Sequence, residues 1–207
     1  MSNVFLFVLL FFLPQSSFTN FSYCVENVRG PWELRCLELD PDGKGTFKFI
    51  PRSANPVDVG VELSTEVARE FTELLADTEY LAYGADYESG KKVADLGTKR
   101  LLLEGPMGRR EAKFNFSTRR DVKKLGSFFD RLIVQELLMF DIDIALQFDR
   151  LAIPKKLDRI EKDLRAKRVA DVKRLIPVLE RIESDRRLVN FARENAARLR
   201  KQIEGND

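Results

Sequence analysis

Asp141 and Asp143, two residues apart, are the carboxylates in this chain whose spacing comes nearest to acid–base chemistry. General acid–base catalysis needs two carboxyls converging on one cleft, often with the pKa of one raised by burial. On a strand the two side chains would share a face, whereas on a helix they point about 200° apart. Each could equally pair with a neighbouring arginine, Arg131 or Arg150. Catalysis through them requires a pocket that also draws in another acid, such as Asp149 or Glu136. The chain contains no histidine. That excludes Ser-His-Asp and Cys-His activation of a nucleophile, and it excludes mixed Cys/His zinc sites.

Two loops have compositions that invite a ligand. Asp40-Pro41-Asp42-Gly43-Lys44-Gly45 is acidic and glycine-bearing, but a calcium loop of the EF-hand type needs a bidentate Glu at its twelfth position. Counted from Asp40, that position is Pro51. Asp-Gly between two apolar stretches is hairpin chemistry instead. Gly105-Pro106-Met107-Gly108 enters a strand rather than a helix, so it cannot cradle phosphate as a helix N-terminus would. No metal and no cofactor is expected.

Tyr80, Tyr83 and Tyr87 sit in a polar stretch with Asp77, Glu79, Asp86 and Glu88. Tyrosines on a loop offer a flat apolar face edged by a hydroxyl, the chemistry of protein and carbohydrate contact. The alternative is that these rings cover the edge of a sheet.

The ends of the chain bear on its compartment. Val4 to Leu13 is an unbroken apolar run closed by Pro14. Ten residues of helix rise about 15 Å, half of a ~30 Å hydrocarbon core, so no stable transmembrane span is expected. The run has the length of a secretory h-region, although no Lys or Arg precedes it. Cys24 and Cys36 are the only cysteines. In an oxidising compartment they would form a disulfide worth ~3 kcal/mol, the alternative being two buried thiols.

Charge divides along the chain: residues 1–118 carry net −4 and residues 119–207 net +6. The basic half interleaves its cations with acids, as in Lys155-Lys156-Leu157-Asp158-Arg159-Ile160-Glu161-Lys162-Asp163. That pattern reads as a solvated helix face knitted by i,i+4 pairs and does not predict nucleic-acid binding.

From Glu33 to Ser117 the apolar spacing is mostly two. It predicts strands around Leu34–Leu39, Thr46–Ile50, Val57–Leu63, Leu96–Leu103 and Arg110–Phe116, with a helix capped by Ser64 between the third and fourth. From Thr118 the spacing becomes helical. Phe140, Ile142, Ile144, Leu146 and Phe148 alternate like a strand, yet their helical flanks favour a continuing or broken helix. Pro154 suits the first turn of a further helix. A helix from Asp171 to Ser184 is expected to bend at Pro177.

The last forty residues predict two helices separated at Asp185. Leu175-Ile176-Pro177-Val178-Leu179, the Asp185 turn, and Ala192-Arg193 with Ala196 and Leu199 resemble a single HEAT-type helical hairpin over residues 170–203. The resemblance implies a packing or interaction surface rather than chemistry.

The fold class expected is therefore α+β: an antiparallel sheet of about five strands with one packed helix, followed by roughly three to five C-terminal helices. The expected organisation is a signal-peptide-like segment at 1–20, the sheet and helix at 21–118, and the helical segment at 119–207. The function expected is that of an exported (periplasmic or secreted), non-catalytic binding or structural module with a protein or glycan partner. A carboxylate-dependent extracytoplasmic hydrolase and a cytoplasmic adaptor are the alternatives.

Overall fold

A computed structural model describes residues 18–205 apart from 28–29, 83–84, 92, 94–96 and 107. The apolar run 4–13 and Tyr83 lie outside the described residues. Alternating apolar and polar side chains build six strands: β1 (Asn20–Glu26), β2 (Trp32–Leu39), β3 (Lys44–Pro51), β4 (Val57–Glu62), β5 (Thr98–Gly105) and β6 (Gly108–Phe114). They form one antiparallel sheet in the order β4-β3-β2-β1-β5-β6. α1 (Thr65–Asp77) joins β4 to the irregular stretch before β5.

The expectation of about five strands falls short by β1, which is central and pairs with both β2 and β5. Phe21, Tyr23 and Val25 alternate with Ser22, Cys24 and Glu26 as a strand requires. Its partner β5 lies about eighty residues away in sequence, so nothing local marks its position in the sheet.

At the β2–β3 turn the Asp40 carboxylate accepts hydrogen bonds from the backbone N–H of Asp42 and of Lys44, at 3.0 and 2.8 Å. Gly43 supplies the positive φ of +78° that this turn needs. The segment is a hairpin turn. Among the described residues, no group of three or more acidic or sulfur side chains could hold a metal ion.

One sheet face is lined by Phe21, Tyr23, Leu37, Leu39, Phe47, Phe49, Leu101 and Leu103, all essentially buried. Over it lie α1, through Phe71 and Leu75, and the first half of α2 (Arg120–Phe148). The Phe129 ring sits 5.2 Å from that of Phe21 and 5.1 Å from that of Tyr23, and Phe140 meets Phe49 edge-on at 4.9 Å. Each such ring buried adds about 1.5–3 kcal/mol of apolar transfer energy, so these contacts fix α2 firmly across the sheet.

α2 is a single helix of 29 residues, about 44 Å long at 1.5 Å per residue. Residues 140–148 continue it without a break, as their flanks predict. Packing of α2 on two sides accounts for Phe140, Ile142 and Leu146 in their strand-like alternation, whereas Ile144 and Phe148 are exposed. Phe140 touches the sheet, while Ile142 and Ala145 enter a second core with α3 (Ile153–Arg165), α4 (Ile176–Ser184) and α5 (Asn190–Glu204).

Pro177 does not bend a helix; it begins one. Val172–Leu175 forms a 3-10 turn, and α4 starts at Ile176 with Pro177 in its first turn. Ile153-Pro154 starts α3 the same way, after the 3-10 turn Arg150–Ala152. Proline has no N–H to lose there, so the first turn is where it fits. α4 and α5 pair through Leu179, Ile182, Ala192, Ala196 and Leu199, and they close the second core over α2 and α3. No helix among the described residues is long and apolar enough to cross a membrane.

Candidate functional site

The carboxylates singled out by their spacing do not converge. Asp141 pairs with Lys156 of α3 at 3.5 Å and Asp143 pairs with Arg181 of α4. Their side chains are 52% and 42% exposed and sit on different flanks of α2. Asp149 is exposed just beyond the helix, and Glu136 is buried. The hydrolase alternative therefore draws no support from these groups.

Cys24 and Cys36 face each other across β1 and β2, with Cα atoms 4.0 Å apart, and are joined as a disulfide. Such a bond is compatible with an extracytoplasmic location.

The tyrosine loop is less open than its composition suggests. Tyr87 is only 6% exposed, with the Arg119 guanidinium 4.9 Å from its ring centroid. Burial holds its phenol above the ordinary value, and the hydroxyl finds no hydrogen-bond partner among the described residues. The ring turned inward because its apolar area gains more from the core than from water. Tyr80 is half-buried against the same core, and its carbonyl accepts from Arg110 Nη1 at 3.0 Å.

Two arrangements stand out that residue spacing did not disclose. The first is a buried polar cluster where the sheet meets the second helical layer. Arg174 Nη2 donates to Glu136 Oε2 at 2.9 Å, and Arg174 Nη1 donates to the carbonyl of Glu62 at the end of β4. Asp171 Oδ2 accepts from the backbone N–H of Ser64 at 2.6 Å. Ser64 does occupy the cap position of α1, but its side chain makes no capping bond. The Gln135 side-chain amide donates to the carbonyl of Asp171 and accepts from the N–H groups of Ala170 and Asp171. Glu136 is pushed up to about 7, first by burial and then by the Asp171 charge, with Arg174 opposing. Glu136 Oε1 and Asp171 Oδ1 are buried with no hydrogen-bond partner among the described residues.

The second is an open cleft of about 1010 Å³ along the outer flank of α2. α3 walls the C-terminal part of this flank: Lys156 reaches Asp141, and Ile160 and Asp163 come level with Leu138 and Val134. The sheet end, through Lys99, Phe114 and Phe116, walls the N-terminal part. Phe114, Val122, Val134 and Leu138 give the cleft an apolar lining. Asp130 on its wall accepts a 2.8 Å hydrogen bond from the Tyr23 hydroxyl, whose phenol is held well above its ordinary value by burial and by Asp130.

The cations of the cleft are unevenly matched. Arg159 and Arg168 pair with Asp163, Arg131 reaches Glu70, and Lys123 lies over the Phe116 ring at 5.4 Å. Lys99, Lys155 and Lys162 have no carboxylate partner among the described residues. The i,i+4 pairing expected of α3 is thus partial: Arg159–Asp163 and Glu161–Arg165 form, while Lys156 crosses to α2. The signal that could have pointed here is the excess of Lys and Arg in residues 119–207, which an alternating pattern masked. The chain matches no protein-family model, and no curated protein is similar to it.

Proposed function

We propose that the protein is an exported, non-catalytic binding module whose ligand lies in the cleft between α2, α3 and the end of the sheet. The observation that carries this reading is the set Lys99, Lys155 and Lys162, which have no carboxylate partner among the described residues and lie beside an apolar lining. Unmatched cations beside a low-dielectric wall attract an anion more strongly than the same cations in open water. A concave site that combines apolar surface with charged groups is a usual form of ligand site, and this cleft carries eight basic and four acidic side chains beside its apolar lining. The disulfide and the apolar run 4–13 support the exported half of the reading.

Native mass spectrometry of the protein purified from its own source tests both halves. The expected chain mass is that of a product cut near residue 20 but ahead of Phe18, which packs in the core against Phe71. It carries the Cys24–Cys36 bond and an additional non-covalent mass. Ser127 is exposed and lines the cleft, so Ser127→Trp would fill it and remove that additional mass. An intact N-terminus would defeat the exported half. A chain without any bound mass, or one equally loaded in the Ser127→Trp variant, would defeat the cleft.

A further inference from the structure

We infer that the cleft takes an extended acidic peptide segment of a partner protein, with carboxylates along its length and apolar side chains between them. This deepens the binding-module reading and rests on it. The length of the cleft supplies the first argument. Its α2 lining runs from Val122 to Asp141, twenty residues of helix whose nineteen rises of 1.5 Å span about 28 Å. An extended chain covers that distance in about eight residues at ~3.4 Å each.

The distribution of charge supplies the second. Lys155 lies on the first turn of α3, Lys162 on its last, and Lys99 on β5 at the far wall. A ligand with a single anionic head, such as a fatty acid, would satisfy one of these and leave the others unmatched. A chain bearing several carboxylates reaches all three. Between them Val134 and Phe116, large apolar lining residues with exposed surface, offer contact to apolar side chains.

The acids on the walls supply the third. Asp130, Asp141, Asp158 and Asp163 line the same cleft. Asp130, Asp141 and Asp163 are engaged by Tyr23, Lys156 and the Arg159–Arg168 pair, and Asp158 has no basic partner among the described residues. A peptide N–H can donate to Asp158, whereas a phosphodiester backbone has no donor to offer it. The first seventeen residues of this chain contain no Asp or Glu, so they do not match the lysines.

Fluorescence anisotropy on the full chain tests the assignment. The probes are a labelled octapeptide of alternating Glu and Leu, the same peptide with Lys in place of Glu, an eight-nucleotide oligothymidylate, and decanoate as competitor. The acidic peptide is expected to bind at least tenfold tighter than the basic one or the oligonucleotide. Lys155→Glu combined with Lys162→Glu is expected to weaken it at least tenfold, with the melting temperature held. Should that pair fail to fold, Lys155→Gln with Lys162→Gln is expected to show a smaller loss in the same direction.

Equal affinity for the two peptides, tighter binding of the oligonucleotide, displacement by decanoate, or indifference to the lysine changes would each overturn the assignment. If the protein carries a native ligand that Ser127→Trp removes, and the acidic peptide nonetheless does not bind, the ligand class falls while the binding module stands.

Discussion

Glu136 and Arg174, 38 residues apart in the chain, form a 2.9 Å ion pair in which the carboxylate side chain is 1% exposed and the guanidinium 14%. The pair is the hinge pin between two cores, because the same guanidinium also holds the Glu62 carbonyl at the end of β4. Its burial makes stability depend on protonation. Glu136 in the folded chain is raised to about 7, above the 4.5 of an exposed glutamate. The folded state therefore holds a proton that the unfolded chain gives up. The stabilisation is fully present below about 4.5 and is lost as pH rises through about 7. No histidine is present to titrate in the same interval.

The melting temperature should accordingly fall between pH 5 and pH 8, by the equivalent of roughly 2–3 kcal/mol. Glu136→Gln should flatten that dependence. Calorimetry across the pH range measures both, and an unchanged slope in the variant would place the titrating group elsewhere.

Removing one member of the pair is a different experiment. Arg174→Met should destabilise the protein by about 3–5 kcal/mol at pH 8, since it strands a buried carboxylate and orphans the Glu62 carbonyl. Combining it with Glu136→Gln should recover part of the loss. Urea denaturation of the four species gives the coupling energy, and strictly additive losses would show that the two side chains act independently.

Two strand glycines should respond in opposite ways to alanine. A Cβ on Gly45 would come 1.8 Å from the Glu38 carbonyl oxygen across the β2–β3 ladder, whereas a Cβ on Gly60 meets nothing within 4 Å. Gly45→Ala should cost on the order of 3 kcal/mol or more because backbone must move. Gly60→Ala should be neutral or stabilising by up to about 1 kcal/mol. Equal midpoints in denaturant would contradict the tight approach of β2 and β3.

The disulfide should contribute about 3 kcal/mol by restraining the unfolded chain. Cys24→Ala with Cys36→Ala, and the wild type under a thiol reductant, should lose similar amounts in a thermal melt. Alkylation of the unreduced, unfolded protein should add no mass at either cysteine.

Much of this fold is written in local periodicity. The alternation of Val57, Val59 and Val61, the Asp40–Gly43 turn, the change to helical spacing after Thr118 and the helix-starting Pro154 each follow from which face of a short segment must avoid water. The cysteine pair was legible too, because with only two cysteines in the chain one intramolecular pairing is possible. Tertiary structure alone decided the rest. β1 is central because β5, about eighty residues on, pairs with it. Tyr87 turned inward because a core was there to receive it. The unmatched state of Lys155 and Lys162 depends on which acids lie within reach, and the pairs that define the polar cluster, Ser64 with Asp171 and Glu136 with Arg174, join segments 107 and 38 residues apart. Periodicity records how one segment meets water, while the partner of a charge is set by which distant segments the apolar core brings alongside it.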